Sequence, residues 1–162
     1  MFLKIETFYE TPPLQETHFE VLLFCLLACL IPLQATASDP RARYEKFRRQ
    51  HIDKQMTAQK CTAEMKRKEI YGDNNVCKDK NTFILADANE VKSVCKDEGV
   101  YNNASKYTES KKKFRIVVCT SKKEARKPKC EYKGNDLNNR VIVVSCLDGL
   151  PVHYMYTPFD KF

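Results

Sequence analysis

The sequence contains only four glycines and seven prolines among 162 residues, which excludes collagen-like and low-complexity architectures. It lacks the phosphate-binding motifs GxGxxG and GxxxxGK followed by Ser or Thr, so a nucleotide-cofactor fold is not expected. The zinc-protease motif HExxH is also absent. Charged residues make up 30% of the chain and apolar residues 43%, as in ordinary soluble domains. The length favours one domain over two.

An apolar segment near the start, residues 21–33, reads VLLFCLLACLIPL and is shorter than the roughly 20 residues that a membrane span needs. It is followed by Ala35-Thr36-Ala37, a small-x-small cleavage signature. We therefore expect residues 1–37 to be a signal peptide that is cleaved before Ser38, with an uncleaved membrane anchor as the alternative. Its first 20 residues form an atypical extension, because they hold four Glu and one Lys where signal peptides usually begin positively charged.

Cleavage would leave residues 38–162 as a single basic domain. This segment holds 27 basic and 17 acidic residues, because residues 1–37 contain one Lys and four Glu, so its formal balance is +10. Six cysteines remain, and an even number in a small secreted chain predicts three disulfides, although spacing leaves their pairing open. These cysteines include no CxxC pair, which argues against a zinc site, and we expect no metal.

The positive charge of this domain favours a polyanionic partner, such as nucleic acid, an anionic membrane or a sulfated glycan. Each basic cluster alone is typical of a solvated surface. The total charge favours a polyanionic partner. Self-repulsion of this size destabilises a compact state, so it is not expected unless function requires the charge. The clusters are Arg48-Arg49, Lys66-Arg67-Lys68, Lys111-Lys112-Lys113, Lys122-Lys123 and Arg126-Lys127.

Helical patterns come first along the chain. Apolar spacing predicts a helix over residues 43–56, and good helix formers predict a weaker one over 58–68. A capping box that begins at Asp87 predicts a short third helix through Val94.

Strand patterns follow Ser110, and helices followed by antiparallel strands indicate an α+β fold. Asn103-Ala104-Ser105 is a glycosylation sequon and predicts a surface loop. The predicted strands cover residues 114–119, 141–146 and 152–156, with turns at 136–139 and 148–151.

Histidine is the most informative candidate for catalysis. Of three histidines, only His51 and His153 lie after the expected cleavage point. A single histidine is more often structural than catalytic. Two imidazoles nevertheless suit acid–base catalysis near neutral pH, because one can start neutral and the other protonated. A neighbouring cation would stabilise negative charge that develops on a phosphate.

Three motifs contain or lie between these histidines: KFRRQHID at residues 46–53, CKDKNTF at 77–83 and PVHY at 151–154. They resemble the signatures of the pancreatic-type ribonuclease family, in the family's order and at compatible separations. The resemblance covers residues 40–158 and is greatest to the angiogenin branch. It implies a ribonuclease A-like α+β fold, with three short helices, a bent antiparallel sheet and three disulfides.

The resemblance implies a metal-independent and cofactor-free endoribonuclease. It would cleave single-stranded RNA on the 3′ side of pyrimidines through a 2′,3′-cyclic phosphate. His51 would be the general base and His153 the general acid, and Lys78 would stabilise charge in the transition state. The implied substrate-binding residues are Gln50 and Tyr154 for phosphate, Thr82 for the pyrimidine edge, and Asn81 in support.

The resemblance also implies a cysteine pairing and a second function for one basic cluster. Lys66, Arg67 and Lys68 occupy the place of an angiogenin triplet that is implicated in nuclear entry and nucleic-acid binding, with an exposed helix end as the alternative. The implied disulfides are Cys61–Cys119, Cys77–Cys130 and Cys95–Cys146.

Two of the residues that follow His153, Met155 and Tyr156, depart from the family pattern. Met155 replaces the usual Asp that orients the second histidine, so the protonation of His153 is expected to be less well set. Tyr156 lies where angiogenins have a residue that obstructs the pyrimidine pocket. We therefore expect ribonuclease activity that is modest.

A secreted monomer is expected, with nuclear entry after uptake and an angiogenin-like or antimicrobial role. The competing hypothesis is a non-catalytic cationic protein. It would disrupt anionic bacterial membranes, or bind a cell-surface glycan or receptor as a growth signal. Such activities would tolerate the loss of both histidines, whereas RNA cleavage would not.

Overall fold

Helices precede most of the strands along residues 39–157, which are the residues that the computed structural model describes. The predicted signal peptide and its cleavage site lie outside this range. The three α-helices are α1 (Pro40–His51), α2 (Cys61–Arg67) and α3 (Ala88–Ser93), and single 3₁₀ turns occupy Ala58–Lys60 and Asp73–Asn75. The strands are β1 (Lys80–Ile84), β2 (Gly99–Asn102), β3 (Tyr107–Ser110), β4 (Phe114–Ser121), β5 (Tyr132–Arg140), β6 (Val143–Leu147) and β7 (Leu150–Met155).

The strands form two antiparallel sheets, which confirms the predicted α+β class. One sheet has the order β1-β4-β5 and the other has the order β2-β3-β6-β7. Helix α1 packs against β7 and β1, so the end of α1 is held between strands of both sheets. This packing places the C-terminal turn of α1 beside the two motifs that follow it in the sequence.

Helix α1 begins where Asp39 accepts a hydrogen bond from the backbone N–H of Arg41 and where proline fills the first turn. It ends earlier than the predicted range of 43–56, because Ile52 is extended and forms a bridge with Ile84 of β1. A β-branched residue fits that extended geometry well. The buried stripe of the helix consists of Tyr44, Phe47 and His51.

The turn predicted at residues 136–139 is wrong, because this polar stretch lies inside β5. Asp136 is the ladder partner of Val117, and its carboxylate forms an ion pair with Arg115 on the neighbouring strand β4. The same ladder carries Leu137 against the core. Cross-strand pairing therefore overrides the turn preference of the local sequence.

The turn predicted at residues 148–151 is confirmed at its first two positions, whereas Leu150 and Pro151 lie in β7. Asp148 and Gly149 join β6 to β7, and both have positive φ angles, 50° and 70°, as a two-residue hairpin requires. The third predicted helix is present, but its capping box is not. Asp87 makes no side-chain cap hydrogen bond and instead accepts one from Lys54 at 2.8 Å.

Two hydrophobic clusters and three disulfides stabilise the domain. One cluster lies under α1 and both sheets, and the other surrounds α2 and the first sheet. Each disulfide links residues more than 50 positions apart, which restricts the unfolded chain strongly. The pairs are those that the family resemblance implies: Cys61–Cys119, Cys77–Cys130 and Cys95–Cys146.

The sequon lies in the exposed turn between β2 and β3, as predicted. The side-chain oxygen of Asn102 accepts hydrogen bonds from the backbone N–H groups of Ala104 and Ser105, which leaves Asn103 at the tip. Within residues 39–157, no helix is long and apolar enough to cross a membrane.

Candidate active site

His51 is the last residue of α1 and is almost completely buried, with 5% of its surface exposed. Its Nδ1 lies 2.8 Å from the carbonyl oxygen of Thr82 on β1. A carbonyl oxygen can only accept a hydrogen bond, so Nδ1 carries the proton and Nε2 of the neutral ring has a free lone pair. The rings of Tyr154 and Phe47 lie 5.4 and 5.1 Å from the imidazole.

Burial lowers the pKa of His51 to about 3. The hydrogen bond to Thr82 opposes this shift, whereas the positive charges of Lys78 and His153 add to it. The imidazole is therefore neutral at physiological pH and prepared to accept a proton.

Lys78 precedes β1 and is held by a short chain of hydrogen bonds. Its ammonium donates to the side-chain oxygen of Asn81 at 3.0 Å, and the Asn81 amide donates to the carbonyl oxygen of Gln50 at 2.8 Å. Asn81 is fully buried, so its amide has a fixed orientation. Burial, followed by the charge of Lys46, lowers the pKa of Lys78. Asn81 thus connects the ammonium to the turn of α1 that carries His51.

His153 lies on β7 and is exposed, whereas the next residue, Tyr154, is buried. Partial desolvation, followed by the charges of Lys78, Arg43 and Lys46, lowers the pKa of His153. No residue between 39 and 157 forms a hydrogen bond with the His153 ring, and Met155 stands where the family's aspartate is expected.

The structure therefore brings the three predicted catalytic groups close enough for their charges to interact. The charge of Lys78 acts on both imidazoles, and the charge of His153 acts on His51. Packing of α1 against β1 and β7 produces this convergence. Cations close to a neutral base are suited to binding a phosphate group.

Thr82 contributes its main-chain carbonyl oxygen to the site, and its side-chain hydroxyl forms no hydrogen bond within residues 39–157. The hydroxyl oxygen is covered from solvent. Nearby, the Tyr156 hydroxyl donates to the carbonyl oxygen of Lys80 at 2.8 Å, and its ring lies 5.5 Å from Tyr154. Tyr156 is thereby held beside the strand that carries Thr82.

Sequence reasoning missed Arg43 and Lys46 as neighbours of the site. Both lie on α1, three residues apart, and their charges act on His153. Their helical spacing was a usable signal, because residues three apart share a helix face. The charge of Lys46 also acts on Lys78.

The three cations of the basic triplet have different surroundings, and no hydrogen bond or ion pair within residues 39–157 joins them to His51, Lys78 or His153. Lys68 has only 13% of its side chain exposed and pairs with Asp53 at 3.3 Å. Arg67 pairs with Glu64 at 2.6 Å on the surface of α2. Lys66 is exposed. Among residues 39–157, no group of histidine, cysteine and carboxylate side chains is arranged to hold a metal ion.

Comparison with known proteins identifies one family. Residues 42–155 match the family described as pancreatic ribonuclease. Ribonuclease-like 3 of Danio rerio is 34% identical over 82% of this chain and 91% of its own length. Angiogenin-1 of Bos taurus is 34% identical over 83% of this chain and 88% of its own. The X-ray structure of zebrafish RNase5 superposes with a TM-score of 0.70 and 40% identity, over 74% of this chain and 97% of that one.

Proposed function

The chain belongs to the pancreatic ribonuclease family and is a pancreatic-type endoribonuclease, and we propose that it cleaves single-stranded RNA on the 3′ side of pyrimidines. The observation that carries this proposal is the packing of α1 against β1 and β7, which places the buried His51 where the charges of Lys78 and His153 act on it. Cleavage would proceed through a 2′,3′-cyclic phosphate without a metal or cofactor.

In the first step, Nε2 of His51 accepts the proton of the ribose 2′-hydroxyl. The oxygen attacks the adjacent phosphorus and forms the cyclic diester. His153 donates a proton to the departing 5′-oxygen, so the leaving group is a neutral hydroxyl. Water then opens the cyclic phosphate while the two histidines exchange roles. DNA resists this reaction because it lacks the nucleophilic hydroxyl.

The remaining predicted residues bind or position the phosphate and the base. Lys78 stabilises the additional negative charge of the pentacoordinate transition state, and Asn81 fixes its ammonium. The side chain of Gln50 and the backbone N–H of Tyr154 bind phosphate oxygens. The Thr82 hydroxyl forms a hydrogen bond with the pyrimidine edge; its lack of another partner within residues 39–157 supports this role.

The proposal is tested with four dinucleotides that differ only in the base on the 5′ side of the cleaved bond. The protein with its three disulfides formed is expected to cleave the two dinucleotides that have a pyrimidine at this position. It is expected to produce a cyclic phosphate intermediate. The 2′-deoxy analogues are the matched controls and should remain intact. Equal cleavage of purine and pyrimidine substrates would refute the base assignment, and cleavage of a deoxy analogue would refute the mechanism.

The lowered pKa of His153 predicts an acidic optimum for kcat/KM. The free enzyme needs His51 neutral, which holds above about pH 3, and His153 protonated, which is lost as pH rises through a pKa below 6.5. We therefore expect kcat/KM to fall with increasing pH before pH 6.5 is reached. Arg43→Ala removes one repelling charge and should move this falling limb to higher pH. A wild-type limb above pH 7 would contradict the assignment.

Tyr156 is expected to limit access to the base site. Tyr156→Ala removes the hydrogen bond to Lys80 and the ring beside Tyr154. One net hydrogen bond is worth about 0.5–1.5 kcal/mol, so pyrimidine dinucleotide cleavage should rise roughly 2- to 10-fold. Tyr156→Phe, which loses only the hydroxyl, should account for most of the gain. A fall in kcat/KM for both variants would show that Tyr156 assists binding.

We also propose that residues 1–37 direct secretion of a monomeric domain that starts at Ser38. The exposed sequon then provides a marker, because Asn103 would be glycosylated in the secretory pathway. Protein secreted by cultured eukaryotic cells is expected to begin at Ser38 and to lose mass on treatment with an N-glycosidase. Asn103→Gln should abolish that mass difference. Secreted protein that retains residues 1–37 would contradict the cleavage prediction.

The biological role is proposed to be angiogenin-like or antimicrobial, and the positive charge of the domain also suits a role that does not depend on catalysis. A contribution to nuclear entry requires that a side chain be exposed. Lys66 and Arg67 therefore remain candidates for this role, whereas the side chain of Lys68 is largely buried. Bacterial killing or endothelial growth that persists in the His153→Ala variant would favour binding of anionic membranes or a cell-surface receptor. Loss of these activities together with RNA cleavage would favour the enzymatic role.

A further inference from the structure

An exposed apolar pair lies on strand β2, next to the glycosylation sequon. Val100 is 58% exposed and Tyr101 is 55% exposed. Strand β2 stands at one end of the sheet β2-β3-β6-β7, so within residues 39–157 only one of its edges is paired. A sheet edge that carries exposed apolar side chains favours association with other chains. A cover for this edge would therefore favour the monomer.

The two side chains project from opposite faces of the sheet, because successive residues of a strand alternate. Tyr101 is the ladder partner of Thr108, which is buried, and Val100 is the ladder partner of Glu109, which is exposed. The Tyr101 side chain has no hydrogen bond and no aromatic stacking partner within residues 39–157. Its ring is therefore available to a group that lies beside the end of β2.

The sequon begins two residues after Tyr101, in a turn whose shape is fixed by hydrogen bonds. The backbone N–H of Lys106 donates to the carbonyl oxygen of Asn102 at 2.8 Å, and Lys106 has a φ angle of 64° that returns the chain into β3. The side chain of Asn102 accepts two further backbone hydrogen bonds inside the turn. The Asn103 side chain is exposed and makes no hydrogen bond within residues 39–157, so its amide nitrogen is accessible.

The position of Asn103 brings an attached sugar to the Tyr101 ring. Residues two apart in a strand share a face and lie roughly 7 Å apart. Asn103 directly follows the last residue of β2, so its side chain starts on the side of the hairpin from which Tyr101 projects. An asparagine side chain and one pyranose ring together span this separation, so the sugar can fold back onto the tyrosine ring.

N-acetylglucosamine has the chemistry that suits an exposed tyrosine ring. One face of its pyranose ring carries C–H groups, which pack on the electron-rich face of an aromatic ring while the sugar hydroxyls stay in water. In the secretory pathway, the amide nitrogen of Asn103 forms the bond to the anomeric carbon of the sugar. A lipid-linked pyrophosphate departs from that carbon, and the amide loses one proton.

We propose that the first N-acetylglucosamine of a glycan on Asn103 packs against the ring of Tyr101 and covers the unpaired edge of β2. This inference rests on the proposed secretion and glycosylation of the domain. The contact forms in the folded hairpin and is lost in the unfolded chain, so it stabilises the native state. The outer sugars extend into solvent and add steric cover to the edge.

The test compares three forms of the protein secreted by cells that make oligomannose glycans. The first form is intact, the second is trimmed by an endoglycosidase to a single N-acetylglucosamine, and the third is fully deglycosylated by an N-glycosidase. Complete removal converts Asn103 to aspartate, so the Asn103→Asp variant is the reference for that carboxylate. The midpoint of thermal unfolding is measured for each form with the disulfides intact.

The intact and trimmed forms should unfold about 2–6 °C above the fully deglycosylated form, as expected for one aromatic contact in a domain of this size. Tyr101→Phe keeps the ring and should keep this difference, whereas Tyr101→Ala should remove most of it. Val100→Ala is the matched control, because it shortens a similarly exposed apolar residue on the opposite face of β2. It should leave the difference unchanged. Comparing glycoforms of one variant cancels the effect of the substitution on the unmodified protein.

Three results would overturn the inference alone. The first is a difference between glycoforms that is absent in the wild type or equal in the wild type and Tyr101→Ala. The second is a trimmed form that unfolds with the fully deglycosylated form, because outer sugars would then carry the stabilisation. The third is a loss in Val100→Ala as large as that in Tyr101→Ala.

Secreted protein without a glycan on Asn103 would refute the proposed glycosylation and the inference with it. Cleavage of a pyrimidine dinucleotide by the same preparations tests the ribonuclease proposal separately, because it does not depend on the glycan.

Discussion

Replacement of His153 by alanine is expected to lower kcat/KM for a pyrimidine dinucleotide by roughly 10²–10⁴-fold, because the departing 5′-oxygen loses its proton donor. The His153 ring is exposed and makes no hydrogen bond within residues 39–157. The free energy of unfolding should therefore change by less than about 0.5 kcal/mol. Steady-state kinetics and thermal unfolding of the same preparation separate a chemical role from a structural one.

His51→Ala is the matched comparison and should differ in stability. It loses the same order of activity, but it also removes the buried hydrogen bond to the Thr82 carbonyl. An unsatisfied buried carbonyl costs about 1–3 kcal/mol, so this variant should unfold at a lower temperature.

A substrate with an aryl leaving group distinguishes the two roles, because an aryloxide departs without general acid assistance. It should restore much of the activity of His153→Ala and little of that of His51→Ala. Equal behaviour of the two variants, or residual activity near that of the wild type, would exclude the assigned roles.

Replacement of Lys78 by alanine is expected to lower kcat by roughly 10²–10³-fold, with a smaller change in KM. The ammonium acts mainly on charge that develops in the transition state, so its loss affects the chemical step more than binding. Lys78→Arg keeps the charge and should retain part of the activity, although the guanidinium does not reproduce the 3.0 Å contact with Asn81.

Lys113→Ala is the control for net charge and should keep wild-type kcat, because Lys113 is an exposed residue just before β4. A Lys78→Ala variant that raises KM and leaves kcat unchanged would assign Lys78 to ground-state binding instead. Single-turnover kinetics on a dinucleotide, with enzyme in excess, distinguish these outcomes, because they report the chemical step directly.

Local sequence patterns predicted the fold class well and some elements poorly. The β-branched run of β4 and the Asp148-Gly149 hairpin were readable because their signals are local. Strand β5 was not readable, since its Asp136–Asn139 stretch is polar and is held by pairing with β4. The end of α1 was also misplaced, because Ile52 leaves the helix to pair with Ile84, a residue 32 positions away.

The motifs named the candidate site residues but not their environments. Nothing in the local sequence indicates that Lys68 pairs with Asp53, or that the hydroxyl of Thr82 is covered. Both features depend on contacts between segments that the fold alone brings together. The influence of Arg43 on His153 has the same origin, because it requires α1 to pack against β7.

Thr82 divides two tasks between its two parts. Its main-chain carbonyl oxygen accepts the hydrogen bond that orients the His51 ring, and any residue at this position would supply that carbonyl equally well. Its side chain carries the covered hydroxyl that we propose to bind the pyrimidine edge. A substitution of Thr82 would therefore be expected to alter the proposed base preference and to leave the main-chain anchor of the His51 ring in place.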